Sequence, residues 1–251
     1  MKLTVVKTGS AANCYLLQAS DSSLIIECGV RPEFIMKKYP KFSWDNISGV
    51  LVTHEHGDHA AYAEKFLNLG IELYASRGTL EALGLDNHSR TNVLTPLHTL
   101  HIGQFIIKPF LTKHDATEPL GFIIEHEELG KLLFITDSRP TRYTFLKECV
   151  QHILVEANYD DAILDEMVID GKIPLSQCQR IRATHMEISD AIQVVKDNIT
   201  SFLVNVVFIH TSSRHGDKID FRKRLVDIYP FLNVYVAEPG LTIDIDNDLP
   251  F

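Results

Sequence analysis

His54-Glu55-His56-Gly57-Asp58-His59 follows the apolar run Val50–Thr53 and precedes the helix-period stretch Ala60–Leu69. That context puts the hexapeptide on a loop at a strand end. Three imidazoles and two carboxylates in six residues are hard to bury in an apolar core, because each polar group would need its own partner. Histidine and aspartate are the nitrogen and oxygen donors that zinc, manganese and iron accept, and four of them in one turn let a loop hold two adjacent cations. The spacing therefore points to a metal site.

Outward from this loop, apolar runs rich in β-branched residues recur at Leu24–Cys28, Phe105–Phe110, Leu132–Thr136, Ile153–Glu156 and Val204–His210. These predict buried or half-buried strands. Gly78–Leu83 and Ser189–Asn198 carry helical periodicity, with Ser189 as the expected N-cap of the second. Several predicted strands end in a polar residue, as in LVTHEH, LFITD, ILVE and VFIH. Such strand ends are where a rigid scaffold presents functional groups. With no internal repeat, low-complexity segment or linker, one domain over residues 1–251 is expected.

Composition sets limits on function. Apolar residues make up 45% and charged residues 23% of the 251, enough for a sizeable core. No run approaches the roughly 18 apolar residues that a membrane helix needs, so no membrane partner and a cytoplasmic location are expected. Cys14, Cys28, Cys149 and Cys178 form no CxxC pair and predict free thiols. A formal charge of −9 argues against a broad basic face for a nucleic-acid backbone. Local positive charge, such as bound divalent cations supply, would then be needed for an anionic substrate.

The complete HxHxDH signature at Thr53–His59 resembles the metallo-β-lactamase superfamily, and TGSAANCYLL and LIIECG look like that family's opening strands. The resemblance implies an α/β fold, an αββα sandwich of two mixed sheets covered by helices. It also implies a ligand set. His54, His56 and His114 would bind one cation and Asp58, His59 and His210 a second, with Asp137 bridging the two. Zinc is the expected metal, with manganese or iron as the other choices. Where the family usually has aspartate this chain has Glu27, at a position expected to support the loop.

Asp137, in place of the cysteine common in β-lactamases themselves, points to other branches. Glu156 in ILVEANYD and His185 in RATHMEIS look like the glutamate-histidine pair of tRNase Z-like phosphodiesterases. A histidine held by a carboxylate can protonate a leaving alkoxide near neutral pH. The motif order, from GSAANCYLL to FIHTSS, is similar to the WalJ/YycJ-like branch related to RNase J and tRNase Z, regarded as nucleases. The expected catalytic residues are thus Asp58, His185 and Glu156, acting on a phosphodiester of a nucleic acid or nucleotide with help from a water made nucleophilic by two cations. In HTSSRHGD, Ser213 and His215 are expected phosphate contacts beside Ser212 and Arg214. A cyclic-nucleotide or other small-molecule phosphodiesterase, a thioesterase or lactonase, and a non-catalytic metal-binding regulatory protein stay open, as does a homodimer. Trp44, Tyr62, Tyr143 and Tyr159 are given no functional role.

Overall fold

The computed structural model describes residues 1–139 and 143–247. They form two mixed β-sheets with flanking helices. The chain divides into two compact units, the first made of 1–111, 116–130 and 238–247 and the second of 112–115 and the described part of 131–237.

The first unit contains a seven-stranded sheet, antiparallel from Thr242–Asp244 through Lys2–Lys7 and Cys14–Gln18 to Ser23–Ile26. It continues in parallel through Ile47–Leu51, Leu73–Ala75 and Thr91–Val93. The short helices Pro32–Lys38, Ala63–Asn68 and Arg77–Ala82 belong to this unit, and Val6, Ile25, Ile35, Val50, Phe66 and Leu80 share one apolar core. Pro32 opens the first of these helices, where its missing N–H costs nothing, while Lys37 and Lys38 close it against the negative end of the helix dipole. The antiparallel strands Leu100–Ile102, Phe105–Leu111 and Leu120–His126 complete the unit.

The second unit is built on the parallel strands Gly130–Ile135, His152–Glu156, Asn205–Ile209 and Asn233–Val236. His152–Glu156 and Asn205–Ile209 are buried at every position, as parallel strands covered on both faces must be. Helices Asp161–Ile169, Leu175–Thr184, Ile188–Asn198 and Lys218–Ile228 belong to the same unit. Asp160 and Asp217 cap two of them by accepting backbone N–H bonds.

Two local expectations change. The periodic stretch Ala60–Leu69 is not one helix but Gly57–Ala60 followed by Ala63–Asn68. The break falls where the Tyr62 N–H bonds the Cys28 carbonyl at 3.1 Å. Ser189 is not the N-cap, since Glu187 caps the helix and accepts from the Ser189 N–H. Among the described residues no helix is long and apolar enough to cross a membrane.

Phe208 is fully buried in Asn205–Ile209. Phe208→Ala should therefore cost about 3–5 kcal/mol of stability, read as a lower urea midpoint. A change below about 0.5 kcal/mol, the level of surface substitutions, would contradict this packing.

Candidate metal centre

In the first unit, strand Ile47–Leu51 delivers Thr53 and His54 to a buried turn, and His56 starts the helix Gly57–Ala60 as its N-cap. The imidazoles crowd together: His54 lies 4.7 Å from His56 and 4.2 Å from His59 between ring centroids. Glu27, wholly buried, accepts the Thr53 hydroxyl proton at 2.6 Å and lies 3.3 Å from His59 Nδ1. Since the Thr53 proton goes to Glu27, the 2.9 Å contact of Thr53 Oγ1 with His54 Nδ1 makes that nitrogen the donor. The bonding pattern thereby puts the lone pair of His54 on Nε2. A carboxylate beside His59 Nδ1 favours the same tautomer there.

Asn13 and Gly29 also hold this loop, and no sequence motif singled them out. The Asn13 N–H donates to the Asp58 carbonyl at 2.7 Å, and its buried side-chain amide lies 3.3 Å from Asp58 Oδ2 and 3.1 Å from His59 Nε2. Cys28 N–H bonds the His59 carbonyl at 2.7 Å. A Cβ on Gly29 would sit 1.9 Å from the Asp58 carbonyl oxygen, so only glycine fits this backbone approach. Glu55 points elsewhere and accepts from Thr117 N and Oγ1 at 2.8 and 2.7 Å.

In the second unit the polar residues stand at the carboxyl ends of parallel strands, the usual place for a site in such sheets. Glu156 ends one strand, while Asp137 and His210 lie one or two residues beyond two others. Ligand-type atoms of Asp137, Glu156, His185 and His210 lie within 4.8 Å of one another. Glu156 Oε1 is 2.7 Å from His185 Nδ1, and its Oε2 accepts from Ser138 N–H at 3.1 Å. Asp137 Oδ1 lies 3.3 Å from His185 Nδ1 and 3.5 Å from His210 Nδ1, and the His185 and His210 rings stack at 5.3 Å. His114 Nδ1 is 3.0 Å from the Thr184 carbonyl. A carbonyl only accepts, so Nδ1 carries the proton and Nε2 the lone pair.

Burial works against charge on His185, but Glu156 and Asp137 outweigh it and raise its pKa to about 10. Burial likewise pushes the Glu156 carboxyl up, against the pull of His185. Because the folded imidazole is raised above its ordinary value near ~6.5, the stabilisation it brings is full below that value. It fades as pH rises through about 10.

In the loop after His210, Ser212 Oγ accepts the Arg214 and His215 N–H groups and sits 3.2 Å from His215 Nδ1. The serine proton then goes to Nδ1, which leaves Nε2–H as the donor. Among the described residues that buried Nε2 has no hydrogen-bond partner. Burial, then Arg214 and His185, lower the His215 pKa. Ser213 is exposed.

The family model of the metallo-β-lactamase superfamily matches residues 8–172. The chain belongs to the metallo-β-lactamase superfamily. Within it, the chain is 27% identical to an exodeoxyribonuclease WalJ of Streptococcus pneumoniae over 65% of this chain and 64% of that protein. The chain thus spans just under two thirds of the pneumococcal relative. An exodeoxyribonuclease YycJ of Bacillus anthracis is 26% identical over the whole chain and 97% of its own length. These likenesses support the WalJ/YycJ-like branch of the superfamily. The metallo-β-lactamase-fold protein YhfI of Bacillus subtilis has the same fold, with a TM-score of 0.74 at 19% identity, covering 96% of this chain and 98% of that one. The nitrogen and oxygen donors of both units suit divalent cations, in keeping with membership of the superfamily.

Gly29→Ala forces the Asp58 backbone to move. It should cost about 1–3 kcal/mol, the usual price of overpacking, measured by denaturant unfolding, and should shift the amide resonances of 54–59. An unaltered spectrum would refute the close approach.

Proposed function

We propose that this chain is a metal-dependent phosphodiesterase acting on nucleic acid, a nuclease in the sense of its WalJ and YycJ relatives. The observation that carries this is the buried Glu156 carboxylate fixed 2.7 Å from His185 Nδ1. A thioester releases a stable thiolate and needs no such proton donor, whereas an alkoxide leaving from phosphorus does.

We assign His54, His56 and His114 to one cation, Asp58, His59 and His210 to a second, and Asp137 to both. The tautomers of His54 and His114, with Nε2 lone pairs, support this use. Zinc is the proposed metal, with manganese or iron as alternatives. Two bound divalent cations would make a water nucleophilic near neutral pH and neutralise charge on the phosphoryl oxygens. Asp58 orients that water. His185, its Nδ1–H held by Glu156, donates the Nε2 proton to the leaving oxygen, and the charge left on Glu156 stabilises the imidazolium before transfer. His215 Nε2–H and the exposed Ser213 hydroxyl are the proposed contacts for phosphate oxygens. The protein is proposed to work in the cytoplasm.

Purified protein should carry about two equivalents of divalent metal, as a two-metal site implies. Asp137→Ala should lower occupancy of both positions, measured by elemental analysis. Full occupancy in that variant would remove the bridge assignment.

His185→Ala should leave metal content unchanged and slow cleavage of an alkoxide-leaving phosphodiester by about 10²–10⁴-fold. On bis-p-nitrophenyl phosphate the loss should be much smaller, because that leaving group departs without a proton. Equal losses on both would make His185 a phosphate-binding group, and loss of metal would make it a ligand. Turnover of a thioester or lactone with none of any phosphodiester would place the chain in another branch of the superfamily.

A further inference from the structure

In the first unit, the helix Pro32–Lys38 buries Pro32 and Ile35 and turns Arg31, Phe34 and Lys38 outward. Phe34 and Lys38 sit at i and i+4 on one face, and Arg31 is the extended N-cap that precedes them. Phe34 is 40% exposed, so part of its ring stays open to another planar group. Two lysines flank it, Lys38 Nζ at 5.7 Å and Lys7 Nζ at 6.0 Å from the ring centroid. Lys38 Nζ also lies 5.3 Å from the centre of the Tyr39 ring. At the other end of the stripe the Arg31 guanidinium stands 5.3 Å over Tyr62. Glu33, the acid within the helix, is engaged by Lys65 at 3.1 Å.

The stripe is continuous with the loop of the proposed metal site. Tyr62 follows His59 by three residues, its N–H bonds the Cys28 carbonyl at 3.1 Å, and Gly29 packs on Asp58. Its far end opens on a cavity of about 340 Å³ whose lining includes Lys38, Tyr39, Lys41 and Gln18 and no carboxylate. Tyr39 Oη has no hydrogen-bond partner among the described residues. Cations spaced along a part-exposed ring, ending in a pocket lined by two lysines, match a chain of phosphates bearing stackable bases. In a chain of net charge −9 this cluster of positive charge runs against the balance of the molecule.

We infer that the Arg31–Phe34–Lys38 face and the cavity beyond it bind single-stranded nucleic acid, holding the strand away from the cleaved bond. The inference rests on the nucleic-acid reading above and extends it to a polymer at a place outside the metal-binding and proton-donating residues.

The test is fluorescence anisotropy with labelled oligo-dT of ~4 and ~16 nucleotides, the span of single-strand sites, in chelator so that no cleavage intervenes. Turnover of bis-p-nitrophenyl phosphate with metal is measured beside it. Wild-type protein should bind the longer strand more tightly. Phe34→Ala should weaken that binding by about fivefold to a hundredfold, the effect of one stacked base. Lys38→Gln should make the salt slope shallower by about 0.7, one phosphate contact on a single strand. Both variants should hydrolyse bis-p-nitrophenyl phosphate like the wild type. Unchanged oligonucleotide affinity in both variants, or no binding by the wild type, overturns the inference while small-substrate turnover still reports on the phosphodiesterase reading. A wild-type dimer that Phe34→Ala converts to monomer would also overturn it and assign the face to a second copy of this chain. Strand binding that depends on Phe34 without any phosphodiester turnover would sustain the inference and defeat the reading.

Discussion

The backbone turns left-handed at Glu27, Asp137 and His210, with φ of 67°, 42° and 54°, each just past a buried strand. Side chains with a Cβ avoid this region unless the surroundings hold them there, at a cost of about 1–3 kcal/mol each. The strand cores supply that hold: Ser23–Ile26 and Asn205–Ile209 are buried throughout. Each strand is thus ended abruptly, and the polar side chain that follows leaves the strand's alternating direction while staying buried. The chemistry proposed for this chain depends on that redirection more than on any one contact.

A carboxylate as buried as Glu156 survives only if its lone pairs are used. Ser138 N–H and His185 use them, and Asp137 beside them adds a second negative charge that the imidazole must balance. Glu27 solves the same problem in the other unit with Thr53 and His59. The departure from aspartate at that position therefore keeps a carboxylate in contact with the loop.

The loop 54–59 was legible because a dense run of donors has no bland place in a fold, and the strand-end positions of Asp137, Glu156 and His210 followed from apolar runs that stop at a polar residue. Asn13 and Gly29 were not legible. Their part lies in backbone approach across 45 and 29 residues of sequence, which no local pattern carries. Periodicity merged two helices at Tyr62 because it cannot see a carbonyl arriving from Cys28, and the expected Ser189 cap gives way to Glu187, whose carboxylate accepts the Ser189 N–H. Net charge hid the lysines around Phe34, since a sum over 251 residues does not record where charges cluster.

Cys14 and Cys28 are buried on either side of Glu27 in sequence. Burial, then the nearby Glu27 charge, push both thiols far up. Thiolate is the form that attacks oxidants and captures soft metals. These two sulfurs therefore stay protonated across the physiological range. The neighbourhood of the histidine loop is left to nitrogen and oxygen donors, and peroxide has little to react with there.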